Sequence, residues 1–167
     1  MADPKDAVAL LKADHRKVED LFEKYEKGRG DKAAIARQIC TELVVHAKIE
    51  EEIFYPACRG KVEDDLLDES YVEHDGAKLL IAELEAGRPT DDFFDAKVTA
   101  LKEQIEHHVK EEEKRMEGLF AQARHAGLDM DALGEKLAEE KARLMETIDP
   151  KSPPKPELAT MKVASVD

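Results

Sequence analysis

Apolar residues along the first 120 positions of the chain return every three or four residues, the spacing at which one face of an α-helix repeats. Val8, Leu11, His15, Val18, Phe22 and Tyr25 make the first stripe, and Ile35, Ile39, Leu43, His46, Glu50, Ile53 and Ala57 the second. Leu67, Tyr71, His74, Ala77, Ile81 and Leu84 make the third, and Phe94, Leu101, Ile105, His108, Glu112, Met116 and Leu119 the fourth. Turn and cap residues fall between them. Asp3-Pro4 predicts the N-cap and first turn of helix one, and Gly28-Arg29-Gly30 ends it. Asp31 caps a second helix that Pro56 and Gly60 stop. The third starts between Val62 and Asp65 and ends at Gly87, ahead of Pro89. Thr90-Asp91-Asp92 predicts the cap of a fourth helix, closing at Gly127.

Four helices joined by short turns predict an all-α fold, an up-down-up-down four-helix bundle over residues 1–127. Leu133, Leu137, Leu144 and Ile148 leave a partial stripe after Asp129, which predicts a short accessory helix over 128–148. From Asp149 the run Pro-Lys-Ser-Pro-Pro-Lys-Pro and a small-residue ending cannot build a core, so residues 149–167 read as a flexible, disordered tail, a linker or docking peptide whose partner the sequence does not name.

Composition agrees with a single helical domain: 39% of the 167 residues are charged, 5% are aromatic and there is no Trp. Acidic residues outnumber basic ones 39 to 26, a net charge of −13, with Lys and Arg interspersed among Glu. Neither nucleic acid nor an anionic membrane is expected as a partner. Cys40 and Cys58 lie 18 residues apart in or beside one predicted helix. At about 1.5 Å per residue that is beyond disulfide reach, so both are expected as free thiols. Met-Ala-Asp-Pro-Lys lacks the apolar run of a signal peptide, and no stretch approaches a membrane span of about 20 apolar residues; a cytoplasmic location is expected.

The stripes carry an anomaly that composition does not show. His15, His46, Glu50, His74, His108 and Glu112 occupy core-facing positions, each histidine near the middle of its helix. One histidine on an apolar face is ordinarily a hydrogen-bonded core residue. Four on consecutive helices, two of them followed by Glu at i+4, leave four imidazoles and two carboxylates to satisfy at one level of the core. That is more than one first-row metal accepts, and carboxylates bridge, so the set suits two metal ions. Imidazole with carboxylate favours iron or manganese over a thiolate zinc site. On the fourth helix His107 and Glu111 offer an alternative pair. The periodicity from Leu101 and Ile105 selects His108 and Glu112 and leaves His107 and Glu111 as a solvated outer pair. His125 falls in the last turn of that helix, where a positive charge is favourable.

Four segments together resemble the hemerythrin-like domains known for their His-His-Glu pattern. They are Lys12-Ala13-Asp14-His15, His46-Ala47-Lys48-Ile49-Glu50-Glu51-Glu52-Ile53-Phe54-Tyr55-Pro56, Glu73-His74-Asp75, and His107-His108-Val109-Lys110-Glu111-Glu112-Glu113. The resemblance implies a bundle around two iron ions, manganese being the lesser alternative, bridged by both carboxylates and an oxo or hydroxo group. Two departures stand out. Oxygen-carrying members have His-x-x-x-His on the third helix, whereas Lys78 follows His74 by four residues here, leaving an iron short of one protein ligand. The Phe-Pro usual after the last glutamates is replaced by Met116-Glu117-Gly118. No Glu-x-x-His occurs, which separates the chain from ferritin-like ligand sets. The expected function is to bind or reduce dioxygen, peroxide or nitric oxide in oxidative or nitrosative stress, with both irons keeping an open position. The alternative is a sensing or storage module for iron or oxygen that signals through its tail without turnover. Without metal, Glu50 and Glu112 are expected to repel and to push one carboxyl toward protonation.

Overall fold

A computed structural model describes residues 5–149 and 151–163. Helix α1 (Ala7–Glu26) is capped by Asp6, whose carboxylate accepts the Ala9 N–H at 2.9 Å; Asp3 and Pro4 lie outside the described residues. Asp31 caps α2 (Lys32–Ile49), accepting from Ala34 at 3.1 Å. A π-helical turn, Glu50–Phe54, runs on into the single turn α3 (Tyr55–Cys58). There follow α4 (Asp64–Ala86), α5 (Phe94–Glu113), α6 (Leu119–His125) and α7 (Met130–Thr147). Among the described residues there is no β-strand, and no helix is long and apolar enough to cross a membrane.

Helices α1, α2, α4 and α5 close a ring of neighbours, as an up-down-up-down bundle requires. The core is split in two. Val18, Phe22, Ile39, Leu43, Ile81 and Leu101 fill one end, while Leu11, Ile49, Phe54, Leu67, Leu119 and Leu137 fill the other. The buried histidines and glutamates form the layer between. Each large apolar side chain contributes about 1.5–3 kcal/mol on burial, so the two clusters hold the helices in place around a polar layer that cannot do so itself.

The sequence pattern fails at four places, each for a local reason. In the second helix Ile53 and Ala57 were expected inward. The π-turn, in which the Tyr55 N–H reaches back to the Glu50 carbonyl, inserts one residue and turns Phe54, Tyr55 and Cys58 into the core instead. Pro56 gives the reason: its ring clashes with the carbonyl four residues back and it has no N–H to offer, so an α-helical ladder cannot pass through it undisturbed. At α5 the cap is not the Thr90-Asp91-Asp92 run but Phe93, in the left-handed region with φ 66°; the Asp91 carboxylate is taken by the Arg88 N–H at 2.8 Å.

The predicted fourth helix does not reach Gly127. It breaks after Glu113, and Met116, expected inward, is 83% exposed. Gly118 makes this possible, because a Cβ there would lie 2.5 Å from the Lys114 carbonyl oxygen and 2.7 Å from that of Glu112. The chain turns back and α6 brings Leu119 and Phe120 over the end of the bundle.

Helix α7 lies against α1, α2 and the π-turn, with Gly134 so close to the Lys5 carbonyl that no Cβ would fit. The segment beyond it departs from the flexible tail that its composition suggests. The Asp75 carboxylate accepts the N–H groups of Ala159, Thr160 and Met161 at 2.8, 2.6 and 2.8 Å and the Thr160 hydroxyl at 2.7 Å. These donors, with Pro154 and Leu158 over the surface between α2 and α7, strap residues 154–161 to the bundle.

Candidate metal centre

The structure brings all six of the expected residues, His15, His46, Glu50, His74, His108 and Glu112, into one buried layer. They sort into two halves. The Nε2 atoms of His15 and His46 are 3.1 Å apart, and those of His74 and His108 are 3.0 Å apart. Each glutamate reaches both halves. Glu50 places Oε1 3.1 Å from His46 and Oε2 3.2 Å from His74, and Glu112 places Oε2 3.3 Å from His15 and Oε1 3.4 Å from His108. A carboxylate with one oxygen in each of two donor clusters has the disposition of a bridge.

The polar atoms are unsatisfied where a cation would need them. Glu50 Oε1 and Glu112 Oε2 are fully buried and accept no hydrogen bond. A buried carboxylate oxygen without a hydrogen bond costs several kcal/mol unless a cation meets it; both of these face the His15 and His46 nitrogens, at 3.3 and 3.1 Å, a donor set that fits a metal ion. The thiols do not take part. Burial above all pushes both Cys40 and Cys58 up to about 12, far from thiolate.

A second ring of carboxylates holds the imidazoles. Asp14 on α1 bonds His46 Nδ1 at 3.1 Å, Glu51 on the π-turn bonds His74 Nδ1 at 2.9 Å, and Glu73 on α4 bonds His108 Nδ1 at 2.6 Å. Glu113 on α5 stands 3.5 Å from His15 Nδ1. Each of these acids is the sequence neighbour of an inward ligand on its own helix and serves the histidine of the next helix around the ring. The geometry explains this, since one residue along a helix is about 100° around it and points to the adjacent helix. A carboxylate at Nδ1 keeps the proton there and leaves the Nε2 lone pair for the centre. Lys141 of α7 bonds Asp14, and α6 stacks Phe120 on His15 with ring centroids 5.8 Å apart, so the accessory helices also steady the ligands.

Tyr55 is the central residue that the pattern missed. Its hydroxyl lies 2.6 Å from Glu112 Oε1, 3.1 Å from Glu50 Oε2, 3.2 Å from His74 Nε2 and 3.4 Å from His108 Nε2. A regular α-helix would have carried it out of the core, and only the π-turn brings it in. The outer carboxylates had a signal in the acid beside four of the six inward ligands: Asp14-His15, Glu50-Glu51, Glu73-His74 and Glu112-Glu113.

The charges balance internally. Burial, then Glu112, pushes the Glu50 carboxyl up, but His46 and His74 outweigh both and bring it to about 2. Glu112 is likewise held well below its ordinary value, since His108 and His15 prevail over burial. Burial disfavours the imidazolium of His108, yet Glu112 and Glu73 raise it to about 10; His46 rises in the same way beside Glu50 and Asp14. The expected mutual repulsion of the two glutamates is therefore present but smaller than their attraction to the imidazoles. His107, in the alternative register, is 65% exposed on the side chain and faces Glu73 at 3.3 Å. His125 is exposed at the end of α6.

Residues 6–120 match the hemerythrin HHE cation binding domain, and the chain belongs to that family. The fold is shared with the crystal structure of an HHE cation binding domain-containing protein of Mycobacterium kansasii, at a TM-score of 0.70 and 21% identity over 85% of this chain and 88% of that one. A DNA nickase of Nostoc is 31% identical over 119 residues, 70% of this chain, so the chain spans about a third of that protein's length.

Proposed function

We propose that this domain holds two iron ions and binds or reduces small oxidants such as peroxide, dioxygen or nitric oxide. The observation that carries the reading is the pair of shared glutamates: Glu50 Oε1 and Glu112 Oε2, buried and without a hydrogen bond, face His46 and His15, and the other oxygen of each faces His74 and His108. His15 and His46 would hold one ion and His74 and His108 the other, with Glu50 and Glu112 shared. A pair of ferrous ions supplies, when bound, the electrons that such oxidants take up.

The chain's own groups set the conditions. The carboxylates of Asp14, Glu51 and Glu73 fix the imidazole planes of His46, His74 and His108. The Tyr55 hydroxyl completes the donors of the His74 and His108 half, in place of the histidine that Lys78 replaces, and when protonated it can donate to Glu112. The two halves are thus unequal, which revises the expectation of two equally open ions: the His15 and His46 half is the one with fewer protein donors. Size supports a small substrate. The chamber beside the four histidines is about 30 Å³; Asp14 and Lys78 reach it, and the rest of its wall is apolar, with Val18, Leu43, Ala77 and Ile81 among the residues that line it. A water needs about 10–15 Å³ on such a measure, so the chamber admits a molecule of two or three heavy atoms.

The expected result is that the iron-loaded, reduced protein consumes hydrogen peroxide or nitric oxide over many equivalents. Tyr55→Phe should keep its iron, lose any visible phenolate-to-ferric absorption and change the rate. Full iron with no consumption of either would overturn the catalytic reading. It would favour a sensing or storage module, for which the strap bonded beside His74 is the supporting observation.

A further inference from the structure

Resting on the metal-centre reading, we propose that Lys78 and the C-terminal strap form a gate that controls access of small ligands to the centre. Two cavities meet at this side chain. An outer one of about 420 Å³ lies between Val45 and Lys48 of α2, Glu51, Leu144 of α7 and Leu158 of the strap. The inner one is the chamber beside the histidines. Lys78 is the residue that both linings share, so its side chain is the wall between them.

The wall is locked from the strap. An ammonium has three donors, and those of Lys78 go to Glu51 at 2.8 and 2.9 Å, to the Glu157 carbonyl at 2.7 Å and, at 3.5 Å, to Asp75. Glu157 belongs to the strap, and Asp75 is the carboxylate on which Ala159, Thr160 and Met161 are anchored. Lifting the strap removes one acceptor outright and turns Asp75 toward water. A lysine so released has a long flexible stem with which to follow its charge into solvent, and the wall opens. A cation at this mouth also favours anions and neutral molecules over cations. The same Glu51 bonds His74, so the gate is connected to the ligand layer without belonging to it.

The test uses the full-length iron-loaded chain, its Thr160→Pro variant, which removes two of the four donors to Asp75, and Lys78→Ala. Three quantities are read: iron per chain, hydrogen exchange at residues 159 and 161, and the association rate of the uncharged probe nitric oxide with the diferrous protein. The expected result is full iron in all three, loss of amide protection in Thr160→Pro, and nitric oxide binding several-fold faster in both variants. Full iron and an unchanged nitric oxide rate in Lys78→Ala would overturn the gate alone. If that variant fails to hold iron, Thr160→Pro decides: an unchanged rate once its amides have lost protection overturns the gate. Absence of iron from the unaltered chain would overturn the metal reading, and the gate with it.

Discussion

Replacing Glu50 by alanine should remove metal from both halves of the centre, and His46→Ala should remove most of it, while His125→Ala should leave metal content at its original level. Glu50 is fully buried and gives one oxygen to each cluster, so its loss deprives both ions at once. In the metal-free protein the change also takes from His46 one of the two carboxylates that hold its charge, leaving Asp14, and breaking a buried pair costs up to about 3–5 kcal/mol. On α5 the contrast is between neighbours: His108→Ala should lose metal and His107→Ala should not, because only His108 points into the layer. Metal analysis of the purified variants, with urea denaturation of the metal-free forms, checks all five. Equal metal in His46→Ala and His125→Ala would remove the basis for the site.

Removing the metal should lower the melting temperature and make it depend on pH. A metal that binds only the folded bundle, at a free concentration 100 times its Kd, stabilises it by about 2.7 kcal/mol, which in a domain of this size is roughly 5–10 °C. In the metal-free protein His108 is raised from 6.5 to about 10, and His46 and His15 also rise. A group whose folded value is raised gives stability that is complete below its unfolded value and is lost as pH climbs through the folded one. The metal-free melting temperature should therefore fall between pH 6.5 and about 10. Glu50, lowered from 4.5 to about 2, works in the opposite sense and loses its contribution only on acidification through that range. Maximum stability should thus fall between about pH 4.5 and 6.5. The expected direction over the neutral range is the one that glutamate repulsion would give, but the histidines are its cause. Melting curves of the metal-free protein that stay flat from pH 6 to 9 would contradict this.

The ligand layer was legible because period 3.6 holds without interruption through α1, through α2 as far as Glu50, through α4, and through α5 as far as Glu112. Counting from the apolar residues alone therefore placed all six side chains on inward faces. The register became unreadable where the backbone departs from that period. At the π-turn one added residue moved Ile53 and Ala57 aside and brought in Tyr55, a change that Pro56 hints at but that no apolar pattern encodes. After Glu113 the close approach of Gly118 to Lys114 redirected the chain and left Met116 in water. The strap was misread for a different reason. Composition reports how much apolar surface a segment can bury, and this one buries little; it is held by backbone N–H groups on one carboxylate, Asp75, and every residue except proline has such an N–H.

The tightest constraint on the whole account is the number and place of the metals. Crystals of the protein produced with ample iron, measured above and below the iron absorption edge, should show two anomalous peaks per chain. One is expected between His15 and His46 and the other between His74 and His108 beside Tyr55, with Glu50 and Glu112 spanning both. A single peak, or none in that layer, would contradict the two-metal centre.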